Sequence, residues 1–429
     1  MVRQAYRFAL DPTAVQERAL RSHAGAARFA YNWGLAKCRE RYRAQRKWYS
    51  AAELHKLWNA EKKADPALAW WPVNSKCTYQ EAFRNLDRAL RDFTDSGKGK
   101  RKGKRLGFPK RKKKGKCRDS FRFGAGVMRC AGSTVTLPRL GTLKTHEPTG
   151  KLASKVQEGT ARILSATVSR TAQRWFVSFT VEVQRDAPGS HPRPGTSVGI
   201  DLGVKTLLTG VDDRGRVTEI AGRKPLRALL RRLRRAGRAH SRKQTGSAGR
   251  RRSASRLARV HARVANQRGD SLHKATTALA RRYETVVVED LNVTGMIAGK
   301  RLARAVSDQG FGTARRMLGY KTAREGGTLI VADRWYPSSK TCSGCGWVKA
   351  KLTLADRVYQ CDACGLVMGR DVNAARNLLS LAASGSDRVN ACGAAVRPGL
   401  AAGRAVLKQE PGTRKRGKTG TAAVKAAAE

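Results

Sequence analysis

Acidic side chains are scarce in this chain of 429 residues: 32 Asp and Glu stand against 88 Lys and Arg, a net charge of +56. So basic a polypeptide suits a polyanionic partner, and nucleic acid is the foremost of these. Long apolar runs are also missing. No stretch approaches the roughly 18 residues of a membrane span, and no lipidation motif is present, so a membrane surface is the weaker rival for the charge. The opening residues, MVRQAYRFALDP, contain no signal-peptide apolar core. The seven His are scattered, and nothing resembles a Ser-His-Asp triad. Of nine Cys, five (Cys38, Cys77, Cys117, Cys130 and Cys392) have no pair spacing, and an odd set cannot all pair internally. That argues for a reducing compartment and predicts a cytoplasmic, nucleoid-associated protein. What remains is ample for folding: 40% hydrophobic content and a length that accommodates two or three domains.

The other four Cys organise the chain. Cys342 and Cys345 form one Cys-x-x-Cys pair, and Cys361 and Cys364 form a second after fifteen intervening residues. Two thiolate pairs at this separation fit a tetrahedral Zn²⁺ site of the zinc-ribbon kind. Four protein ligands close the coordination sphere, so the zinc is expected to be structural. Asp371 follows only seven residues after the last thiol, at the opening of an Asn- and Ala-rich helical run. A ribbon delivering an acid to a helix start reads as an insert beside an active site.

From the N-terminus, residues 2–10 alternate as a short strand, and Asp11 or Thr13 is placed to cap a helix. The pattern is then helical to about Phe93, with aromatics dense among basic residues: Phe29, Tyr31, Trp33, Tyr42, Trp48, Tyr49, Trp58, Trp70 and Trp71. They read either as stacking platforms for bases or as an ordinary helical core. Residues 98–116 carry twelve Lys or Arg in nineteen positions without an acid, the composition of a mobile loop that orders on phosphates. Strands return in Ser133–Lys144 and in Arg162–Val183, the latter a hairpin turning near Ala172-Gln173. A linker composition, DAPGSHPRPG, spans Asp186 to Gly195. Beyond it lie an apolar strand bearing Asp201, a meander through Asp212-Asp213-Arg214-Gly215, and a segment (221–263) with sixteen Lys or Arg and no acid, helical with a break near 244–255. A strand of three valines ends in Glu289 and Asp290, a helix covers 309–324, and Thr328–Trp335 is another buried strand. The tail from about Ser384 has no core pattern and reads as disordered.

Three acids stand out in a chain with few of them: Asp201 in one strand, Glu289 at the end of another, and Asp371 at a helix start. Each has a plain structural alternative as a turn cap, an ion-pair partner or an N-cap. Together they offer the hard oxygen donors that Mg²⁺ prefers. Two such ions about 4 Å apart can activate water and stabilise the leaving oxygen of a phosphodiester.

IDLGVK, VVVEDLNVTGM, PSSKTCSGCG and GRDVNAARNLL closely resemble motifs of the transposon-encoded TnpB (OrfB) proteins, relatives of the type V CRISPR effectors. RFALDPTAVQERALRSHAGAARFAYNWGLA and SKCTYQEAFRNLDRAL resemble the family's N-terminal part. The resemblance implies an α/β RNase H-like (RuvC-like) nuclease domain (195–340 and 367–383) with an inserted zinc ribbon (341–366). It implies too an N-terminal β-barrel-like wedge domain (1–15 and 121–185) carrying a helical recognition insert (16–120), with a basic tail at 384–429. By motif match Asp201, Glu289 and Asp371 are the catalytic Mg²⁺ ligands, and Cys342, Cys345, Cys361 and Cys364 hold structural Zn²⁺. The implied activity is RNA-guided, Mg²⁺-dependent cleavage of double-stranded target DNA, with guide RNA from the element end as partner and a short adjacent motif read by the protein. Two other readings stay open: a strand-transfer transposase acting on element ends, and a nuclease-dead RNA-guided DNA-binding regulator. A pure zinc-ribbon binding module explains neither the length nor the acids.

Overall fold

The strand expected over residues 2–10 forms as β1 (Val2–Asp11) in the computed structural model, which describes residues 1–383 except 127, 186, 187, 300, 301 and 354. Of the two cap candidates Thr13 is the one used. Its hydroxyl accepts from the Gln16 N–H (3.3 Å) while the Gln16 side chain accepts from the Thr13 N–H (3.1 Å), a capping box that starts α1 (Ala14–Gln45). With α2 (Ala51–Ala64) and α3 (Lys76–Gly97) it closes a helical core around Trp58, Tyr79, Phe83 and Leu86. The stacking-platform reading is thereby corrected for most of the aromatics. Tyr31 and Trp58 are buried, and Trp33, Trp48, Tyr49 and Trp71 pack on the same core, because a three-helix unit this small needs its large rings inside. The basic run after α3 is also less free than its composition suggests. Phe108 packs against that core, and the Lys112 ammonium lies 3.8 Å from the Tyr31 ring centre while Lys112 and Asn32 exchange backbone–amide hydrogen bonds.

Seven antiparallel strands follow the order β2 (Ser120–Phe123), β6 (Ala161–Thr171), β7 (Arg174–Val183), β1, β5 (Gly141–Thr145), β4 (Thr134–Leu137), β3 (Arg129–Ala131), with α4 (Gly150–Gln157) between β5 and β6. Trp175, Val177, Phe179, Val181 and Val183 are buried at alternate positions of β7, facing the core also reached by Leu20 of α1 and Leu152 of α4. The β6–β7 hairpin turns where expected. Ala172 (φ 50°) and Gln173 (φ 73°) both take the left-handed conformation that matches strand twist in a two-residue hairpin. Through its backbone pairing the sheet is open, with β2 and β3 as its edges. The linker composition at 186–195 conceals an anchor: His191 is buried and hydrogen-bonds the Ala280 carbonyl (3.1 Å).

A second, five-stranded sheet is built from β8 (Ser197–Asp201), β9 (Leu208–Asp212), β10 (Val217–Ile220), β11 (Thr285–Glu289) and β12 (Thr328–Ala332), in the order β10-β9-β8-β11-β12. β8, β11 and β12 run parallel, and β9 and β10 form an antiparallel meander on one side, the mixed α/β sheet that the RNase H-like expectation calls for. Two basic helices, α5 (Pro225–Ser241) and α6 (Ala248–Arg282), separate β10 from β11; α7 (Val293–Ala298), α8 (Ala303–Gln309) and α9 (Phe311–Arg324) lead to β12. The ribbon hairpin β13 (Val358–Gln360) and β14 (Val367–Gly369) precedes α10 (Arg370–Ala383). Val198, Ile200, Val286 and Val288 face α6 and α9, whereas Val287 faces Leu378 of α10. The sheet is thus covered on both faces, which is why these strands read as unbroken apolar runs. No described helix is long and apolar enough to cross a membrane. The basic tail lies outside the described residues.

Candidate metal centres and nucleic-acid surface

β8 and β11 pair in parallel register up to Ile200 and Val288, so Asp201 and Glu289, one residue further on, stand side by side at the sheet's C-terminal lip. Asp201 is two residues past Gly199 and Glu289 two past Val287, which turns both carboxylates to the face covered by α10. Asp371 comes to the same lip in the first turn of α10; it is the second residue of the helix, not its cap. The three acids singled out in sequence are therefore brought together by three elements.

Close approach of α10 to β8 depends on Gly199. A Cβ there would lie 2.2 Å from the Ala375 carbonyl oxygen and 2.3 Å from the Leu379 nitrogen, both helix backbone that cannot swing aside. Gly199→Ala is expected to push α10 off the sheet, to destabilise the fold by about 3 kcal/mol and to lower any activity of the carboxylate centre by about 100-fold, since displacements near 1 Å suffice for that. Thermal unfolding and a turnover assay check the two effects separately.

The electrostatics reflect the crowding. Burial first, then the charges of Glu289 and Asp371, push the Asp201 carboxyl up to about 7, with the Arg370 guanidinium opposing. Burial also raises Glu289, against a hydrogen bond donated by the Ser338 hydroxyl. Asp290, adjacent in sequence, has the opposite fate. Hydrogen bonds from Arg315 and then Arg334 hold its carboxyl below the ordinary range, so it is already committed to ion pairs. For Asp201 the folded value exceeds the unfolded one, so between about pH 4 and pH 7 the folded state keeps a proton that the unfolded state has shed, and stability falls as pH rises through that window. Asp201→Asn is accordingly expected to raise the thermal midpoint of metal-free protein by on the order of 5 °C at about pH 8, with the gain vanishing near pH 4. Melting curves in chelator at both pH values check it.

The four ribbon thiols converge as their spacing predicts. All four Sγ atoms lie within 4.8 Å of one another, the one such group of potential metal ligands among the described residues. Cys342 to Cys364 and Cys345 to Cys361 are both 3.6 Å apart. Thiolates about 2.3 Å from one ion in a tetrahedron stand about 3.8 Å apart, so the donor set and its geometry fit Zn²⁺. The clustered thiols share protons: the Cys361 thiol is pulled down, first by the backbone N–H of Cys364, whereas Cys364, lowered by the Leu366 N–H, is pushed up on balance by hydrogen bonds with Cys345, Cys361 and Cys342. Gly346 (φ 80°) and Gly365 (φ 72°) close the two knuckles in the left-handed region.

Two asparagines that the sequence pattern did not single out join these centres. Asn373 donates to the Thr341 carbonyl (2.7 Å) and accepts from the Ser343 N–H (2.9 Å), while Asn377 donates to the Ser338 (2.7 Å) and Thr341 (2.6 Å) carbonyls. Both are buried. The first thiolate knuckle is thereby stapled to the helix that carries Asp371. Arg370 adds a strap, donating to the Thr353 carbonyl (3.1 Å) and facing Asp371 at 3.4 Å. The signal for the asparagines was present: N-A-A-R-N puts two amides at i and i+4, on one helix face.

Between α5 and α6 runs a groove of about 870 Å³ lined by Arg232, Arg235, Arg252, Arg256, Arg259 and Arg263 among others, with no acid in its lining. The acid-free basic segment 221–263 thus folds into a cationic groove, a lining suited to phosphates.

A family model described as "Probable transposase" (OrfB_IS605) matches residues 178–299, a Cas12f1-like TNB domain matches 311–378, and a helix-turn-helix domain matches 1–47. Mycobacterium tuberculosis Rv2885c is 38% identical over 439 residues, covering 94% of both chains. This chain belongs to the TnpB (OrfB) family. A Streptomyces pristinaespiralis protein matches this TnpB-family chain at 37% over 96% of both chains, and Escherichia coli InsQ at 31% over 95% of this chain and 97% of its own. All three relatives carry the description "Putative RNA-guided DNA endonuclease". Where the helix-turn-helix model matches, this TnpB-family chain has a strand and one uninterrupted helix of 32 residues.

Proposed function

We propose that this TnpB-family protein is an RNA-guided DNA endonuclease encoded by an insertion-sequence transposon, and that Asp201, Glu289 and Asp371 form its catalytic centre. The observation that carries the reading is the meeting of these three carboxylates at one sheet lip, in a protein of +56 net charge that has few acids to spare. Their mutual repulsion makes the lip a cation site, and their oxygens are the donors that Mg²⁺ takes. Bound divalent cations would supply charge neutralisation for a phosphodiester and acidify water.

The protein's own residues do the positioning. Ser338 holds Glu289 by hydrogen bond, Asn373 and Asn377 fix α10, and Arg370 flanks Asp371 from the ribbon side. The four Cys hold structural Zn²⁺ and keep the ribbon docked. We assign the division of the chain accordingly: residues 1–15 and 121–185 as the barrel-like wedge, 16–120 as the recognition insert, 195–340 and 367–383 as the RuvC-like nuclease, and 341–366 as the ribbon. Guide RNA from the element end and double-stranded target DNA are the partners, met in the cytoplasm at the nucleoid. The strand-transfer alternative is served less well, because an arginine groove of this extent suits a long RNA better than short DNA ends.

The test is cleavage by protein co-expressed with its flanking genomic RNA, on a plasmid matching the guide beside a randomised motif. Cuts that need the RNA, a divalent cation and Asp201 together establish the reading. Tight binding without a cut moves it to the regulator, and absence of co-purifying RNA revives the transposase. The groove has its own expected result. Arg256→Ala and Arg259→Ala together weaken RNA binding and flatten log K against log salt by about 0.7–0.9 for each phosphate no longer neutralised, measured by filter binding over a salt series.

A further inference from the structure

Trp335 is 85% exposed, the most exposed large apolar side chain among the described residues. An indole carries on the order of 200 Å² of surface, and little of this one is covered by the described residues. Its backbone, in contrast, is held firmly. The Trp335 N–H donates to the Asp333 side chain (2.8 Å) and the Tyr336 N–H to the Asp333 carbonyl (3.1 Å), which makes a tight turn. One residue before it, Arg334 pairs with Asp290 (2.6 Å); one residue after, the Tyr336 hydroxyl donates to the Asn377 carbonyl (3.0 Å); three residues after, Ser338 donates to Glu289. The turn is therefore anchored on both sides to the carboxylate pair at the end of β11 and to the helix that carries Asp371.

We propose that Trp335 is a stacking platform for a base of the unpaired DNA strand that enters the Asp201–Glu289–Asp371 centre, an inference that rests on the nuclease reading above. The occupant follows from three features. Three residues of chain, at most about 11 Å, separate Trp335 from the Ser338 that touches Glu289, which is the rise of about three stacked bases. Arg315 and Arg334, 40% and 47% exposed, share the single carboxylate of Asp290, which leaves guanidinium N–H groups for a phosphate to take, while the Asp333 carboxylate balances the second charge. A base offers its face only when it is unpaired or at a duplex end, and an indole on a rigid turn takes that face without regard to sequence. Trp335 is thus a positioning residue: it holds the strand and leaves the chemistry to the carboxylates.

The experiment uses the full chain in an Asp201→Asn background and single-stranded DNA carrying 2-aminopurine, whose fluorescence falls when it stacks on an indole. Trp335→Ala is expected to abolish that quench and to weaken binding by about 5- to 100-fold, while Trp335→Phe retains most of the affinity. Duplex DNA of the same sequence should bind Trp335→Ala and the parent alike, and the melting temperature should not move, because the side chain is outside any core. In the cleaving background Trp335→Ala raises KM for a single-stranded substrate far more than it lowers kcat. Unchanged quench and affinity in Trp335→Ala overturn the proposal, as does an equal loss on duplex. A larger loss on RNA of the same sequence overturns the assignment to DNA, and an assembly that dissociates in Trp335→Ala with DNA affinity intact assigns the indole to a second copy of the chain. If the wild-type chain cuts nothing yet the quench depends on Trp335, the nuclease reading falls and the stacking platform stands; cleavage with Trp335-independent binding does the reverse.

Discussion

Asp201→Ala is expected to lower cleavage at least about 1000-fold while RNA binding and the overall fold persist. The size follows from what the carboxylate is positioned to do. The charges of both Glu289 and Asp371 act on it, so its removal takes from the proposed cation site the carboxylate that links the other two, a contribution of several kcal/mol to a charge-stabilised reaction. Misfolding is tested by the isosteric Asp201→Asn, which removes the same charge without leaving a cavity and should lose cleavage alike while its melting temperature does not fall. Glu289→Gln should lose nearly as much cleavage, since the amide keeps its shape beside Ser338 yet gives up the charge. Asp290→Asn, one residue away, should cost about tenfold or less, acting only through the freed Arg315 and Arg334. Single-turnover cleavage of these variants, alongside their melting curves, decides it: a full-strength Asp201→Ala would move the catalytic centre elsewhere.

Removal of zinc is expected to abolish cleavage by a different route. Structural zinc sites hold small domains together with about 10–16 kcal/mol of apparent binding free energy, far beyond what the small core of Tyr359, Leu352 and Leu366 can supply. Without the ion the knuckle at Thr341–Ser343 opens, and Asn373 and Asn377 lose the partners that hold α10 against it. Asp371 then loses its fixed position. Cys361→Ser, or a strong zinc chelator, should therefore reduce zinc content from one per chain to none, erase hydrogen-exchange protection in residues 338–347 and 370–378, and lower cleavage at least about 100-fold. Asn373→Ala with Asn377→Ala is the milder imitation: zinc stays, helix protection falls and cleavage drops about tenfold. Full cleavage by zinc-free protein would sever the ribbon from the catalytic helix.

The sequence alone determined whatever a few adjacent residues can encode. Two Cys-x-x-Cys pairs announce a metal because chelation needs only that spacing. Asp11 or Thr13 ahead of a helical run marks a helix start, Ala172-Gln173 marks a hairpin between two alternating arms, and three valines ending in Glu289 form a strand whose end is a sheet's lip. In each case the physics acts over a handful of residues. The tertiary structure decided the questions whose partners lie far along the chain. Which acid remains available was one of them: Glu289 and Asp290 are neighbours, but Arg315 and Arg334, 25 and 44 residues away, capture only the second. Burial of the aromatics was another. Trp58 is 1% exposed and Trp335 85%, although both sit among charged residues, because burial depends on what packs across from a side chain and not on its neighbours in sequence. The necessity of Gly199 was a third, visible only once the backbone of α10 lies across β8. Local pattern laid out the elements; their mutual approach made three distant carboxylates into one centre.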